Sequence, residues 1–176
     1  MRRLSPVLTF CAAMALAFTG LLLTGSPSVA EGAGGTAAQP TAAGHLLVYP
    51  DKSWASFPSL EKAVQAGDAA GMSVVTFYDW ANYNSSGATL TYSVAKDCTP
   101  STDGTKDYRF PAFPGGWNDT ATSVTTRMGN GSHCDVWMSA DVNFKGECGN
   151  EWIDQHWDLS QVPFGCNNKA SSFELS

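Results

Sequence analysis

One six-residue phrase is written twice in this chain. Asn118-Asp119-Thr120-Ala121-Thr122-Ser123 returns 49 residues later as Asn167-Asn168-Lys169-Ala170-Ser171-Ser172. Both read Asn, then Asn or Asp, two free positions, Ser or Thr, then Ser. Asx and Ser/Thr side chains bond nearby backbone and so specify turns. The likeness extends beyond the phrase. "DYRFPAFPGGWNDTATSVTT" faces "HWDLSQVPFGCNNKASSFEL", and "VVTFYDWANYNSSGATLTY" faces "CDVWMSADVNFKGECGNEW". Each half has a strand, a bend with Asn-Tyr or Asn-Phe and a Gly, and a return strand. An aromatic-rich strand, a Pro/Gly turn, the polar phrase and a closing strand follow. Four strands, a-b-c-d, make a Greek key, and two keys side by side make a sandwich. The longer b-to-c connection of the first half, Val94 to Lys106, accounts for the unequal offsets.

The texture from Ser73 onward agrees with an all-β class. The runs "SVVTFYD", "ATLTYSV", "DYRFPAF", "SVTTRM", "CDVWMSA", "HWDLSQV" and "SSFEL" are rich in β-branched and aromatic residues and separated by turn formers. An antiparallel sandwich is expected over residues 73–176, with motif one at 73–130 and motif two at 131–176. Upstream, residues 45–72 form an N-terminal extension: a strand over His45–Tyr49, then a helix capped by Ser59, running through Ala66 and ending near Gly67 or Gly71. A packed extension and a removable prosegment both fit it. Residues 31–44, "EGAGGTAAQPTAAG", read as a flexible linker.

Residues 1–30 read as a secretory signal peptide. Met1-Arg2-Arg3 is positive, Val7 to Leu23 is apolar apart from Thr9, Thr19 and Gly20, and Ser28-Val29-Ala30 offers a cleavage site. The protein is therefore expected outside the cell, with no membrane anchor after cleavage. Loss of Arg2 and Arg3 from ten basic residues leaves eight against sixteen acidic ones. That balance disfavours nucleic acid and suits cations. Cys11 departs with the signal, leaving Cys98, Cys134, Cys148 and Cys166. An even count in an exported chain implies two disulfides, with three possible pairings. No CxxC, HExxH or Gly-x-Ser-x-Gly occurs, and His45, His133 and His156 are isolated, so no enzyme is read here. Trp117, Trp137, Trp152 and Trp157 fit core or interface packing.

Here the chain resembles the βγ-crystallin superfamily, in its microbial, secreted, calcium-binding form. "VTFYDWANYNSSG" looks like the opening of that family's motif, and the repeated phrase looks like its calcium clamp, N/D-N/D-x-x-S/T-S. The resemblance covers roughly residues 73–176. Two features depart from it: the long "NSSG" spacing and an irregular second a-strand around Trp137-Met138. The resemblance implies two calcium sites of modest affinity. Each clamp would supply an oxygen from its second position, the carbonyl of its third and the hydroxyl of its fifth. These are Asp119, the Thr120 carbonyl and Thr122, then Asn168, the Lys169 carbonyl and Ser171. The first and last positions, Asn118 and Ser123, Asn167 and Ser172, would hold the loops. Asp79 or a nearby carbonyl, and Asp141 or the Ser139 or Ala140 carbonyl, would complete the shells.

Oxygen-rich loops suit calcium, which takes six to eight hard oxygen ligands at flexible geometry. With few carboxylates, affinities on the order of 10⁻⁵ to 10⁻³ M are expected. The implied function is a secreted, monomeric, calcium-binding structural or stress-related protein. The alternative on the same scaffold is a peptidase inhibitor or an antimicrobial, killer-toxin-like protein. Its partner would be a secreted peptidase or a cell-wall component, met through the Val94–Lys106 connection.

Overall fold

The structure, a computed structural model, describes residues 44–99, 105–126 and 131–176. The expected signal peptide, nearly all of the 31–44 linker, the middle of the Val94–Lys106 connection and the end of motif one lie outside the described residues. In chain order the elements are β1 (His45–Val48), β2 (Trp54–Phe57), α1 (Leu60–Ala70), β3 (Met72–Tyr78), β4 (Thr89–Val94) and β5 (Tyr108–Phe110). Then come β6 (Ser123–Thr125), β7 (Val136–Asp141), β8 (Lys145–Glu147), β9 (Gln155–His156) and β10 (Ser172–Leu175). Among the described residues no helix is long and apolar enough to cross a membrane.

Two sheets form an all-β sandwich. One runs β2-β1-β4-β3-β6-β9 and the other β5-β10-β7-β8. Strands β3 to β6 are a to d of the first Greek key, and β7 to β10 are a to d of the second. Each key keeps a, b and d in its own sheet and lends its c strand to the other. β9 pairs with β6 and β5 pairs with β10, both antiparallel. Neither key is therefore complete without its twin.

The sandwich interior is filled by the inward-facing residues of both sheets. Phe77 and Tyr92 from one sheet meet Phe110 and Phe173 from the other, joined by Phe113, with ring centroids 4.6–5.0 Å apart in the closest pairs. Burying each ring is worth about 1.5–3 kcal/mol and each ring pair about 0.5–1.5 kcal/mol more. Tyr92 carries a hydroxyl into this core with no hydrogen-bond partner. Burial raises its pKa well above the ordinary phenol value.

Residues 45–72 are packed against the first sheet. β1 pairs parallel to β4, the single parallel pair among the described residues, and β2 folds back on β1. Ser59 caps α1 by accepting from the Lys62 amide at 3.3 Å. The helix continues beyond the expected Ala66 to Ala70. Gly67 does not end it, because the helix needs a glycine there for close approach. A Cβ at Gly67 would stand 2.4 Å from Ser73 Oγ. The Ser93 hydroxyl instead donates to the Gly67 carbonyl at 2.8 Å.

The second a-strand differs from expectation. β7 pairs with β10 in unbroken register from Ser172–Ser139 to Leu175–Val136. The irregularity lies in the first a-strand, where the β3–β4 register shifts between Ser73 and Val75. Trp117 is fully buried, and Trp137 and Trp152 form an edge-to-face pair at 5.6 Å. Trp157, expected in the core or at an interface, is 45% exposed and stacks on His156.

Candidate metal centre

The clamps lie between the c and d strands, and the exchange of c strands sets them side by side. Each is entered from a buried residue: Trp117 before clamp one, Cys166 before clamp two. Each then turns tightly, the Thr120 amide donating to the Trp117 carbonyl and the Lys169 amide to the Cys166 carbonyl. The second position of each is left-handed, with φ 57° at Asp119 and 53° at Asn168. Asn and Asp are the side-chain-bearing residues that tolerate this region best. The N/D choice there thus serves the backbone as well as any ligand.

The two loops bond each other reciprocally. The Asp119 amide donates to the Ala170 carbonyl at 3.2 Å, and the Asn168 amide donates to the Ala121 carbonyl at 2.9 Å. The side chains cross in the same way. Thr122 Oγ1 lies 3.4 Å from Asn168 Oδ1, and Ser171 Oγ lies 3.2 Å from Asp119 Oδ1. Ser171 Oγ is also 3.2 Å from the Lys169 carbonyl. The oxygens therefore do not group clamp by clamp, as the sequence suggests. One cluster joins Asp119 to Ser171 and Lys169, and the other joins Asn168 to Thr122. Nothing in the sequence reports this crossing, since it depends on how two distant loops dock.

The last position of each phrase fixes a hairpin. Ser123 Oγ donates to the Trp80 carbonyl at 2.7 Å and accepts from the Tyr83 amide at 3.2 Å. Ser172 Oγ donates to the Asp141 carbonyl at 2.7 Å and accepts from the Phe144 amide at 3.0 Å. Each a–b hairpin passes through two consecutive left-handed residues, Asn82-Tyr83 and Asn143-Phe144. Its tip is tied to the far motif, Asn82 amide to Trp157 carbonyl and Asn143 amide to Pro111 carbonyl. The longer "NSSG" spacing is taken up after this turn, where the Ser86 amide donates to Asn84 Oδ1 at 2.9 Å.

Each hairpin aspartate lies beside a glycine of its own hairpin. Asp79 lies over Gly87, where a Cβ would come 2.3 Å from Asp79 Oδ1, and that oxygen is buried without a partner. Asp141 lies over Gly146, where a Cβ would stand 2.8 Å from Asp141 Oδ2. Both glycines belong to the b side of the hairpin, across the a strand from the clamp. Trp80 and Asp141 are the matching positions, so the two aspartates are offset by one residue. Lys169 turns its ammonium to the Phe164 carbonyl at 3.3 Å, leaving its own carbonyl at the cluster. Asn118 Nδ2 donates to Asp119 Oδ2 at 2.9 Å, while Asn167 Oδ1 is buried and unpaired.

The cysteines pair as Cys98–Cys134 and Cys148–Cys166. Beside the first, Asp97 accepts from the His133 ring at 2.7 Å, the Cys98 amide at 2.9 Å and Ser132 Oγ at 3.2 Å. Partial burial raises the Asp97 pKa, but the hydrogen bonds from His133, Cys98 and Ser132 together hold it below the ordinary value. The sulfurs next to that carboxylate are committed to the disulfide, so the group is not a metal-ligating cluster.

No family model matches the chain, and no curated protein does. Among solved structures, a βγ-crystallin from an Archaea is similar in fold. Its identity is 16%, the match spans 59% of this chain and 98% of that chain, and the TM-score is 0.38. The chain's own strand pairing gives an all-β sandwich of two sheets. The exchanged c strands and paired clamps are read from this chain's own contacts.

Proposed function

We propose that this is an exported calcium-binding protein of βγ-crystallin type, in which two ions join the halves of the sandwich. The crossed pairing of Thr122 with Asn168 and of Ser171 with Asp119 carries this reading. Such clusters gather hard oxygens of side chains and main chain, the donor set calcium prefers. Cluster one consists of Thr122 Oγ1 and Asn168 Oδ1, with the Thr120 carbonyl as the third candidate donor. Cluster two consists of Ser171 Oγ, Asp119 Oδ1 and the Lys169 carbonyl. Hairpin carbonyls or water would complete each shell. With one carboxylate between them, affinities on the order of 10⁻⁵ to 10⁻³ M follow.

Calcium would act here through stability. An ion bound only by the folded chain adds about 1.4 kcal/mol when present at ~10 times its Kd. Because each cluster draws on both motifs, that energy resists separation of the two keys. Calorimetric calcium titration of the secreted chain tests the reading. Two binding events and a raised melting temperature are expected. Thr122→Ala should abolish one event and Ser171→Ala the other. Absence of calcium uptake by the parent would end the proposal.

A further inference from the structure

Two dipeptides meet at the first disulfide. Asp97-Cys98 follows β4 and His133-Cys134 precedes β7, so the bridge joins the end of the b strand of motif one to the start of motif two. Both cysteines are buried, with their Cα atoms 5.0 Å apart. Asp97 Oδ1 stands 3.7 Å from Cys134 Sγ. A bonded sulfur carries no proton and no charge, so this approach gives neither a hydrogen bond nor an ion pair. The carboxylate is nonetheless held there. Its Oδ1 accepts from the Cys98 amide at 2.9 Å and the His133 amide at 3.0 Å, and its Oδ2 accepts from the His133 ring at 2.7 Å.

One carboxylate oxygen and two sulfurs, all within 4.8 Å of one another, are ligands of the kind zinc takes. While the disulfide stands they cannot serve, but every cysteine is synthesised as a thiol, so the bridge has a dithiol precursor. In that form Cys98 and Cys134 can give two thiolates beside Asp97. Tetrahedral zinc sets two thiolates about 3.8 Å apart, which rotation about the two Cα–Cβ bonds provides. His133 is the positioning residue, holding the carboxylate as outer partners hold the ligands of a metal. The other bridge is different. Among the described residues no third ligand of this kind gathers at Cys148–Cys166. Calcium does not compete, because thiolates select softer ions.

We propose that the dithiol form of this chain binds one zinc ion through Cys98 Sγ, Cys134 Sγ and a carboxylate oxygen of Asp97, with water as the fourth ligand, and that zinc and the disulfide exclude each other. Binding releases the two thiol protons. Oxidation by a partner disulfide then closes the Cys98–Cys134 bond. The two thiolates give up two electrons, the partner's sulfurs leave as two thiolates, and the zinc is freed. The site shares no residue with the clamps, so it stands or falls without calcium. Cobalt titration of the secreted chain reduced with a phosphine tests it, read by the thiolate-to-cobalt absorption band. One ion per chain with the intensity of two thiolates is expected, and none in the oxidised chain. Replacing Cys98 and Cys134 with alanine should abolish the band, and replacing Cys148 and Cys166 should keep it. Asp97→Asn and His133→Ala should each weaken binding about tenfold, while His133→Asn, which keeps a donor for Oδ2, should recover most of the loss. Oxidised glutathione should release one zinc ion from each zinc-loaded chain as the bond forms. No band in the reduced parent, a band that survives loss of Cys98 and Cys134, or parental affinity in Asp97→Asn would each overturn the proposal.

Discussion

The two clamps share a backbone path and differ in what holds them. Clamp one follows Trp117, a fully buried indole; clamp two follows Cys166, covalently tied to Cys148. At the second position clamp one has the carboxylate of Asp119 and clamp two the neutral amide of Asn168. Crossing gives each cluster the other loop's second residue. The charge of clamp one is thus spent beside Ser171, and the cluster around Thr122 has no carboxylate of its own. Duplication preserved the geometry, while anchoring and charge diverged between the copies.

The largest effect is expected from the anchors. Trp117→Ala should cost about 3–5 kcal/mol, because it empties a fully buried site between two sheets. Urea unfolding reads this directly. Replacing both Cys148 and Cys166 with alanine should cost about 3 kcal/mol, since the bridge closes a separation of 18 residues. Loss of the disulfide should also reach beyond clamp two. Clamp two supplies Asn168 to one cluster and Ser171 to the other, so both calcium events should weaken together. Loss of only one event would show that the crossed geometry does not govern binding.

Charge gives the next effect in size. Asp119→Asn should weaken the Ser171 site about tenfold, and Asn168→Asp should strengthen the Thr122 site by a similar factor. The double exchange should reverse the order of the two affinities. Calorimetry with the Ser171→Ala and Thr122→Ala backgrounds assigns each event. If Asp119→Asn instead weakened the Thr122 site, the sequence-local grouping of ligands would be right and the crossed one wrong.

Much of this was legible in the chain because duplication repeats its turn chemistry. The phrases at Asn118–Ser123 and Asn167–Ser172 must turn wherever they stand, and the runs between them alternate as strands do. The fold class and the two-key plan follow from that. Other features have no local signature. Strand β9 keeps only His156 of the expected run "HWDLSQV" and adds Gln155 before it, since these two residues find the ladder partners on β6. The lending of c strands is decided by docking of whole motifs. The parallel β1–β4 pair depends on a crossover through α1. Trp157 looked like a core residue by type, yet its backbone is held at a hairpin tip by Asn82, which leaves the ring outside. Asp79 and Asp141, expected by charge as candidate ligands, each lie beside a glycine of their own hairpin, a placement that no local pattern reports.

The smallest predicted effect concerns a difference between the sheets rather than the clamps: only motif one's sheet carries an extension. His45 ties β1 to β4 through its ring, Nδ1 lying 2.9 Å from Thr89 Oγ1. Burial lowers its pKa below 6.5, and the negative charge of Asp79 offsets part of that shift. A histidine with a depressed folded pKa stabilises while neutral. Its contribution is complete above the unfolded value of about 6.5 and is lost as pH falls through the folded pKa. Acidification from pH 7 should therefore lower the melting temperature slightly and expose the β1 amides to hydrogen exchange before those of β7. His45→Gln keeps a hydrogen-bonding side chain beside Thr89 and cannot titrate, so it should flatten this slope. A slope unchanged in His45→Gln would place the sensitivity outside the extension and remove this distinction between the two sheets.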